Sequence, residues 1–225
     1  MRNRERLIVV SVFAVLVFTW LGFFLHVSPS FAGSGLGAVF GISGAALMLV
    51  PLIYVFVKRI PFLKERITKH VSLETWLAIH IYTGIVGALL ALIHTGHKYN
   101  SPLGIALTAT MLLVVVSGIV LRYLTPFVNL DMKDKLLLLQ TARGDLDSAW
   151  GVMEKTELPK LLAASQVTTL AESVADLEYS IRTHELLKRW FAGALITHIV
   201  LSVTMYVLLA AHIAAGIYYG LRWLK

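Results

Sequence analysis

The segment Leu73–Thr95, LETWLAIHIYTGIVGALLALIHT, has the length and apolar character of a helix that crosses a lipid bilayer. An α-helix rises about 1.5 Å per residue, so about 20 residues span the hydrocarbon core. The segment carries a single charged residue, Glu74, but holds two histidines, His80 and His94. Ionisable side chains inside membrane helices are rare and usually functional, so these histidines are the first candidates for a site.

The whole chain has the composition of a membrane protein. Hydrophobic residues make up 57% of its 225 positions, and its mean hydropathy is +0.76, well above the values of soluble domains. The first apolar segment is interpreted as a retained helix rather than a signal peptide, because bulky residues follow it where small ones would mark cleavage. The predicted spans are Leu7–Leu25, Leu36–Val57, Leu73–Thr95, Leu103–Leu124 and Phe191–Gly220.

The basic residues between the spans predict the orientation of the chain. The N-terminus carries three arginines and the connection after the second span five Lys or Arg, whereas the first connection has none and the third only Lys98. By the positive-inside rule the N-terminus is cytoplasmic, and spans three and five run parallel from inside to outside. We therefore expect a multi-pass protein of the cell inner (cytoplasmic) membrane, whose net charge of +7 reflects topology and not a nucleic-acid partner.

Residues 125–189 have the composition of a soluble segment, with apolar residues at helical spacing among charged ones. They predict a cytoplasmic helical hairpin, a spacer or docking element, with breaks at Gly144, Gly151 and Pro159. The predicted fold class is an all-α integral membrane protein, a five-helix transmembrane bundle with a cytoplasmic helical insertion. Its parts are residues 1–124, 125–189 and 190–225, the last being span five with a short tail.

Small residues at helical spacing lie around the second span, at Gly33, Gly37, Gly41 and Gly44, and Pro51 follows them within the span. Small residues let helix backbones approach closely in lipid, and a proline bends a helix. We interpret both as packing features without chemistry.

The spacing of the intramembrane histidines is the most specific signal. His80 and His94 are separated by 14 positions, and so are His198 and His212. Fourteen helical steps end about 40° short of whole turns and rise roughly 21 Å, so each pair shares a face and reaches towards both sides of the membrane. Because spans three and five run parallel, His80 is expected at the depth of His198, nearer the cytoplasm, and His94 at that of His212.

Haem is the cofactor that this pattern favours. The chain has no cysteine, so thiolate-bound clusters, Cys-based zinc sites and covalently attached c-type haem are excluded. Gly84 and Gly87 lie on the stripe between the two histidines of span three, where small residues leave a slot for a flat macrocycle. We predict two haem b groups with His80, His94, His198 and His212 as axial ligands of the iron, and with Gly84 and Gly87 beside them.

Spans three to five resemble the transmembrane cytochromes b of the ferric reductase and NADPH oxidase group. The resemblance covers about half of the chain and rests on two parallel helices with H-x13-H, on His80-Ile-Tyr-Thr-Gly84 and on Ser117-Gly118-Ile-Val-Leu-Arg122-Tyr123. It implies that electrons pass from a cytoplasmic donor through the inner haem to the outer one. No FAD- or NAD-binding domain is found in the sequence, so the donor is expected to be a separate redox subunit, a soluble electron carrier or a quinol.

Polar residues near the span ends have two interpretations. Arg122 is a candidate partner of an inner haem propionate, or equally an interfacial anchor. The other four histidines are expected at the membrane interfaces: His26, His70, His97 and His184. Of these, His26 and His97 could line an outer quinone site.

Three functions remain open from the residues alone. The first is a bis-haem electron conduit, as one subunit of a redox complex. The second is a quinol-oxidising or quinone-reducing cytochrome b with a site beside one haem. The third is a non-redox membrane anchor or transporter with a histidine proton or metal path. Whether the chain is itself an oxidoreductase also remains open.

Overall fold

The computed structural model describes residues 3–22, 27–98, 100–155 and 160–222, and within these ranges the chain is helical without any strand. The predicted all-helical class is therefore confirmed. The helices are α1 (Asn3–Leu21), α2 (Gly35–Arg59), α3 (Pro61–Thr68), α4 (Leu73–His94), α5 (Pro102–Val128), α6 (Lys133–Lys155) and α7 (Lys160–Arg222), with a 3-10 turn at Phe31–Gly33 before α2.

Four helices within the described residues are long and apolar enough to cross a membrane: α2, α4, α5 and the Ala164–Tyr219 part of α7. Their outward side chains are apolar as well; Ile42 is 72% exposed and Val207 64%. A helix that is hydrophobic on its outer surface is typical of contact with lipid. The apolar helices therefore indicate a multi-pass membrane protein.

Local sequence explains where these helices begin. Ser34 and Ser72 precede α2 and α4, and their hydroxyls accept hydrogen bonds from the backbone N–H groups of Gly37 and Thr75. Such caps satisfy amide groups that the first helical turn leaves unpaired. Pro61 occupies the first turn of α3, where its missing N–H costs nothing.

The chain divides into two compact units, of which the first comprises residues 1–120 and 196–225. The core of this unit is formed by side chains from α1, α2, α4, α5 and α7. α1 contributes Leu16 to it, although charged residues follow Asn3 at the start of this helix. The buried core residues are Leu16, Met48, Ile85, Ala88, Leu92, Met111, Val115, Met205 and Leu209.

Within this unit α2 and α4 approach each other closely at two glycines. A Cβ on Gly44 would lie 3.0 Å from the Gly87 carbonyl oxygen, and one on Gly87 would lie 3.0 Å from the Gly44 carbonyl oxygen. Met48 fills the adjacent space, 2.8 Å from the same hypothetical Gly87 Cβ. Small residues here let the two backbones touch, as the glycine row of the second span predicts.

The second unit comprises Leu121–Leu195 and is built from the end of α5, α6 and the first part of α7. Arg143 pairs with Glu178 at 2.6 Å, and the Lys135 ammonium donates to the Ser180 hydroxyl, which joins α6 to α7. The breaks predicted at Gly144 and Gly151 are wrong, because both residues lie inside α6. Pro159 lies outside the described residues.

Span five is also not a separate helix in this structure. Its predicted residues lie within α7, which continues from Lys160 to Arg222 without interruption at position 189 or 190. A glycine in a helix costs only about 1 kcal/mol relative to alanine, so neighbouring helix formers and packing override single glycines such as those in α6 and α7.

Candidate functional site

The imidazole rings of His80 and His198 face each other inside the first unit. Their ring centroids are 6.5 Å apart, with 55° between the ring planes. His80 lies in α4 and His198 lies in α7. The sequence predicts these two residues at the same depth, because spans three and five are expected to run parallel. Both side chains are partly buried.

α2 supplies the surroundings of His80. The Nδ1 atom of His80 lies 3.2 Å from the carbonyl oxygen of Pro51, and the edge of Tyr54 meets the His80 ring at 5.3 Å between centroids. The Lys58 ammonium lies over the Tyr54 ring, 5.5 Å from its centre. A helix without histidines therefore positions the His80 ring.

α5 supplies the surroundings of His198. The Nδ1 atom of His198 is 2.9 Å from the Ser117 hydroxyl, which also donates a hydrogen bond to the carbonyl oxygen of Val114 at 3.0 Å. A Cβ on Gly118 would lie 3.2 Å from the His198 Cε1 atom. Gly118 thus allows α5 to come close enough for Ser117 to reach the ring.

His94 has the same relation to α2 as His80 has. Its Nδ1 atom is 2.7 Å from the carbonyl oxygen of Gly37. A Cβ on Gly41 would lie only 2.8 Å from that Nδ1 atom, so Gly41 provides the room for the ring. His212 lies close enough to His94 for an electrostatic interaction between the two side chains.

These partners decide which ring nitrogen carries the proton. A carbonyl oxygen only accepts hydrogen bonds, so in His80 and His94 the Nδ1 atom carries hydrogen and donates. In the neutral ring the Nε2 lone pair is then free, which is the state of a histidine that binds a metal through Nε2. The backbone of α2 thus leaves the Nε2 atom of both histidines of α4 without a proton.

The contacts of α2 correct the interpretation of its small residues as packing features without chemistry. Gly37 and Pro51 each provide the acceptor for a histidine, and Gly41 makes room for one. Every non-terminal residue has a carbonyl group, so nothing in the sequence marks these two as acceptors. A signal was nevertheless present: Gly37 and Pro51 are 14 positions apart, like the histidines that they bind.

The structure separates the roles of the two glycines predicted to lie beside haem. A Cβ on Gly84 would meet only Pro51 Cγ, at 3.9 Å, so the space above Gly84 is open to a further group. Gly87 is buried against Gly44 and Met48 of α2. Gly87 therefore serves helix packing in this structure, and its place beside a haem stays a prediction.

Other predicted residues lie elsewhere. Arg122 is in α5 and belongs to the second unit, where it is partly buried. His97 follows α4 with a positive φ of 62°, and its ring is near Gly22. His184 is buried within the second unit, His70 is exposed, and His26 lies outside the described residues.

Within the described ranges, no group of three or more His, Cys, Asp or Glu side chains is placed to hold a metal ion. His80 and His198 instead face each other as a pair of rings, and His212 is near enough to His94 for an electrostatic interaction. No family model, curated protein or solved structure matches this chain.

Proposed function

We propose that this chain is a bis-haem b-type membrane cytochrome that moves electrons across the bilayer. His80 and His198 are the axial ligands of one haem, and His94 and His212 those of the other. The observation that carries the proposal is the facing pair His80 and His198, with 6.5 Å between ring centroids and both Nδ1 atoms held by hydrogen-bond partners.

The separation of these rings fits an iron atom between them. A histidine nitrogen binds a metal at about 2.0–2.1 Å, so two imidazoles on opposite sides of one ion have centroids about 6.4 Å apart. The observed 6.5 Å agrees with this value. A porphyrin provides the four equatorial nitrogens of its iron, so two protein ligands at each depth are the number that haem requires.

When bound, the haems supply one-electron transfer between ferric and ferrous iron. The residues of the chain hold and tune them. His80 and His198 would hold one haem through their Nε2 atoms, and Pro51 and Ser117 orient the two rings. Gly84 provides open space beside His80.

The positions of the two pairs support a path through the membrane. His80 and His94 are both in α4, and 14 helical residues separate them by roughly 21 Å along the helix. We place the N-terminus and residues 125–189 in the cytoplasm, with five spans in the inner membrane, because Lys and Arg concentrate in those connections. The His80–His198 haem is then the inner one.

The partners follow from what the chain must receive and release. One electron enters from a reduced donor and one leaves to an oxidised acceptor, so the chain itself undergoes no net change. We assign the donor role to a separate redox subunit or soluble electron carrier, with the chain as one part of a redox complex. A quinol that reacts beside one haem, and a non-redox histidine path, are the alternatives that the experiments distinguish.

The decisive experiment is the absorption spectrum of the detergent-purified protein. We expect a red preparation with a b-type spectrum after dithionite reduction and two haems per chain by the pyridine haemochrome assay. A colourless preparation from haem-replete cells would overturn the proposal and leave the non-redox path. Reduction of the haems by a quinol in liposomes without any other protein would identify the quinone-linked alternative.

A further inference from the structure

The hydrogen-bond partner of His198 differs in kind from those of His80 and His94. His80 and His94 meet only backbone carbonyl groups of α2, whereas His198 meets the side-chain hydroxyl of Ser117 at 2.9 Å in addition to the backbone carbonyl group of Val114. A carbonyl oxygen can only accept, but a hydroxyl can either accept from Nδ1–H or donate to a bare Nδ1. The tautomer of His198 therefore depends on how Ser117 is itself oriented.

Val114 determines that orientation. The Ser117 hydroxyl lies 3.0 Å from the carbonyl oxygen of Val114, one helical turn earlier in α5, and donates its hydrogen there. With its hydrogen engaged, the hydroxyl presents its lone pairs to His198, which then donates through Nδ1–H. The result is a chain from the His198 ring through Ser117 to the Val114 carbonyl group, in which each bond polarises the next.

The backbone of α5 is shaped for this contact. Gly118 follows Ser117, and a Cβ at Gly118 would lie 3.2 Å from His198 Cε1. That distance is tighter than ordinary van der Waals contact, so a larger residue would push α5 away from the ring. Ser117 and Gly118 together allow the hydroxyl to reach Nδ1 while the ring keeps its place opposite His80.

We propose that Ser117 is a positioning residue that holds His198 in the tautomer with a free Nε2 atom and lowers the reduction potential of the haem between His80 and His198. This inference rests on the proposed function. An acceptor on Nδ1–H makes the imidazole more electron-rich, and an electron-rich ligand stabilises ferric over ferrous iron. Ser117 is a removable side chain, whereas Val114 and the acceptors of His80 and His94 contribute backbone atoms, so Ser117 is the partner through which the sequence can adjust this potential.

The test compares three variants of the full-length protein in detergent. Ser117→Ala removes the acceptor, Ser117→Thr retains a hydroxyl, and Ser202→Ala is the matched control. Ser202 also bonds to His198, but its hydroxyl donates to the backbone carbonyl oxygen at 2.7 Å and does not touch the ring. The readouts are two-component redox titrations, the low-spin ferric electron paramagnetic resonance spectrum, and haem content.

We expect Ser117→Ala to raise one of the two midpoint potentials and to change the electron paramagnetic resonance signal of one haem. The other haem stays at its wild-type potential. Ser117→Thr, which retains the hydroxyl, keeps the wild-type midpoint potentials, and Ser202→Ala leaves both potentials unchanged. Loss of one haem from Ser117→Ala with its retention in Ser117→Thr also supports the hydroxyl as the feature that positions the ligand.

Other outcomes overturn the inference. These are unchanged potentials in Ser117→Ala, an equal shift of both haems, the same shift in Ser202→Ala, or loss of one haem from Ser117→Ala and Ser117→Thr alike. Each of these results would show that residue 117 either serves only in packing or has no influence on the haem. They are distinct from failure of the proposed function, which appears as the absence of haem from the wild-type protein.

Discussion

Gly44 of α2 and Gly87 of α4 bring the two helix backbones into close contact and lie midway between the two histidine sites. His80 is seven residues before Gly87 and meets Pro51, seven residues after Gly44. Seven residues are about two helical turns, roughly 10.5 Å along each axis. The same spacing in the other direction brings His94 to Gly37. One glycine contact between antiparallel helices thus sets the register at both sites.

The first prediction concerns this contact. Gly44→Val would place side-chain atoms where a Cβ already comes within 3.0 Å of α4 backbone atoms. We expect the free energy of unfolding to fall by about 1–3 kcal/mol, as for other overpacked cores, and the haem content to fall at both sites. Thermal stability in detergent measures the first effect. Gly216→Val in α7 is the control, since a Cβ there meets nothing within 4 Å, and an equal loss in this control would refute the register role of Gly44.

The second prediction separates the two sites. Gly41→Ala would bring a methyl group within 2.8 Å of His94 Nδ1 and displace the ring from the Gly37 carbonyl oxygen. We expect one haem per chain instead of two, with the His80–His198 haem retained. Gly35→Ala in the same helix, where a Cβ meets nothing within 4 Å, serves as the control. Two haems in Gly41→Ala at wild-type stability would contradict the assignment of His94.

The third prediction tests the pairing of the ligands. His80→Ala and His198→Ala should each lose the same haem and keep the other, because both rings face one position. His94→Ala and His212→Ala should lose the other haem. Haem content and the reduced spectrum measure this, with the exposed His70→Ala as control. If every single variant loses both haems to the same extent, the pairing by depth is wrong.

The fourth prediction concerns the open space at Gly84. A Cβ there would meet only Pro51 Cγ, at the ordinary contact distance of 3.9 Å, so Gly84→Ala should not disturb the protein itself. A haem against this face of α4 would meet the added methyl group. We therefore expect wild-type expression and monodispersity but lower occupancy of one haem. Full occupancy would show that Gly84 does not contact the cofactor.

The fifth prediction concerns Tyr206, whose hydroxyl donates to the Met48 carbonyl oxygen at 2.7 Å and so ties α7 to α2. Tyr206→Phe removes this bond without changing the shape of the ring. We expect a loss of about 0.5–1.5 kcal/mol in stability with both haems retained. Thermal unfolding checks the result, and Tyr219→Phe, at a position 62% exposed, should have no effect.

The helices could be predicted from the sequence because length and apolar content identify helices that can cross a membrane. α2, α4 and α5 begin and end within a few residues of the predicted spans. The common face of His80 and His94 also follows from helical geometry alone. The sequence could not decide whether the helix breaks at Gly144 and Gly151, because one glycine destabilises a helix only weakly and its effect depends on the neighbouring residues. Both glycines lie inside α6.

The apolar helices, the four histidines within them and the spacing of these histidines can be read from the sequence, because they depend only on residue type and helical periodicity. The groups that hold the rings follow from the packing of the helices. The carbonyl groups of Gly37 and Pro51 are present in every peptide unit, and Ser117 is one hydroxyl among many. They become partners of histidines only when the Gly44–Gly87 contact sets the register of α2 against α4 and Gly118 lets α5 reach His198.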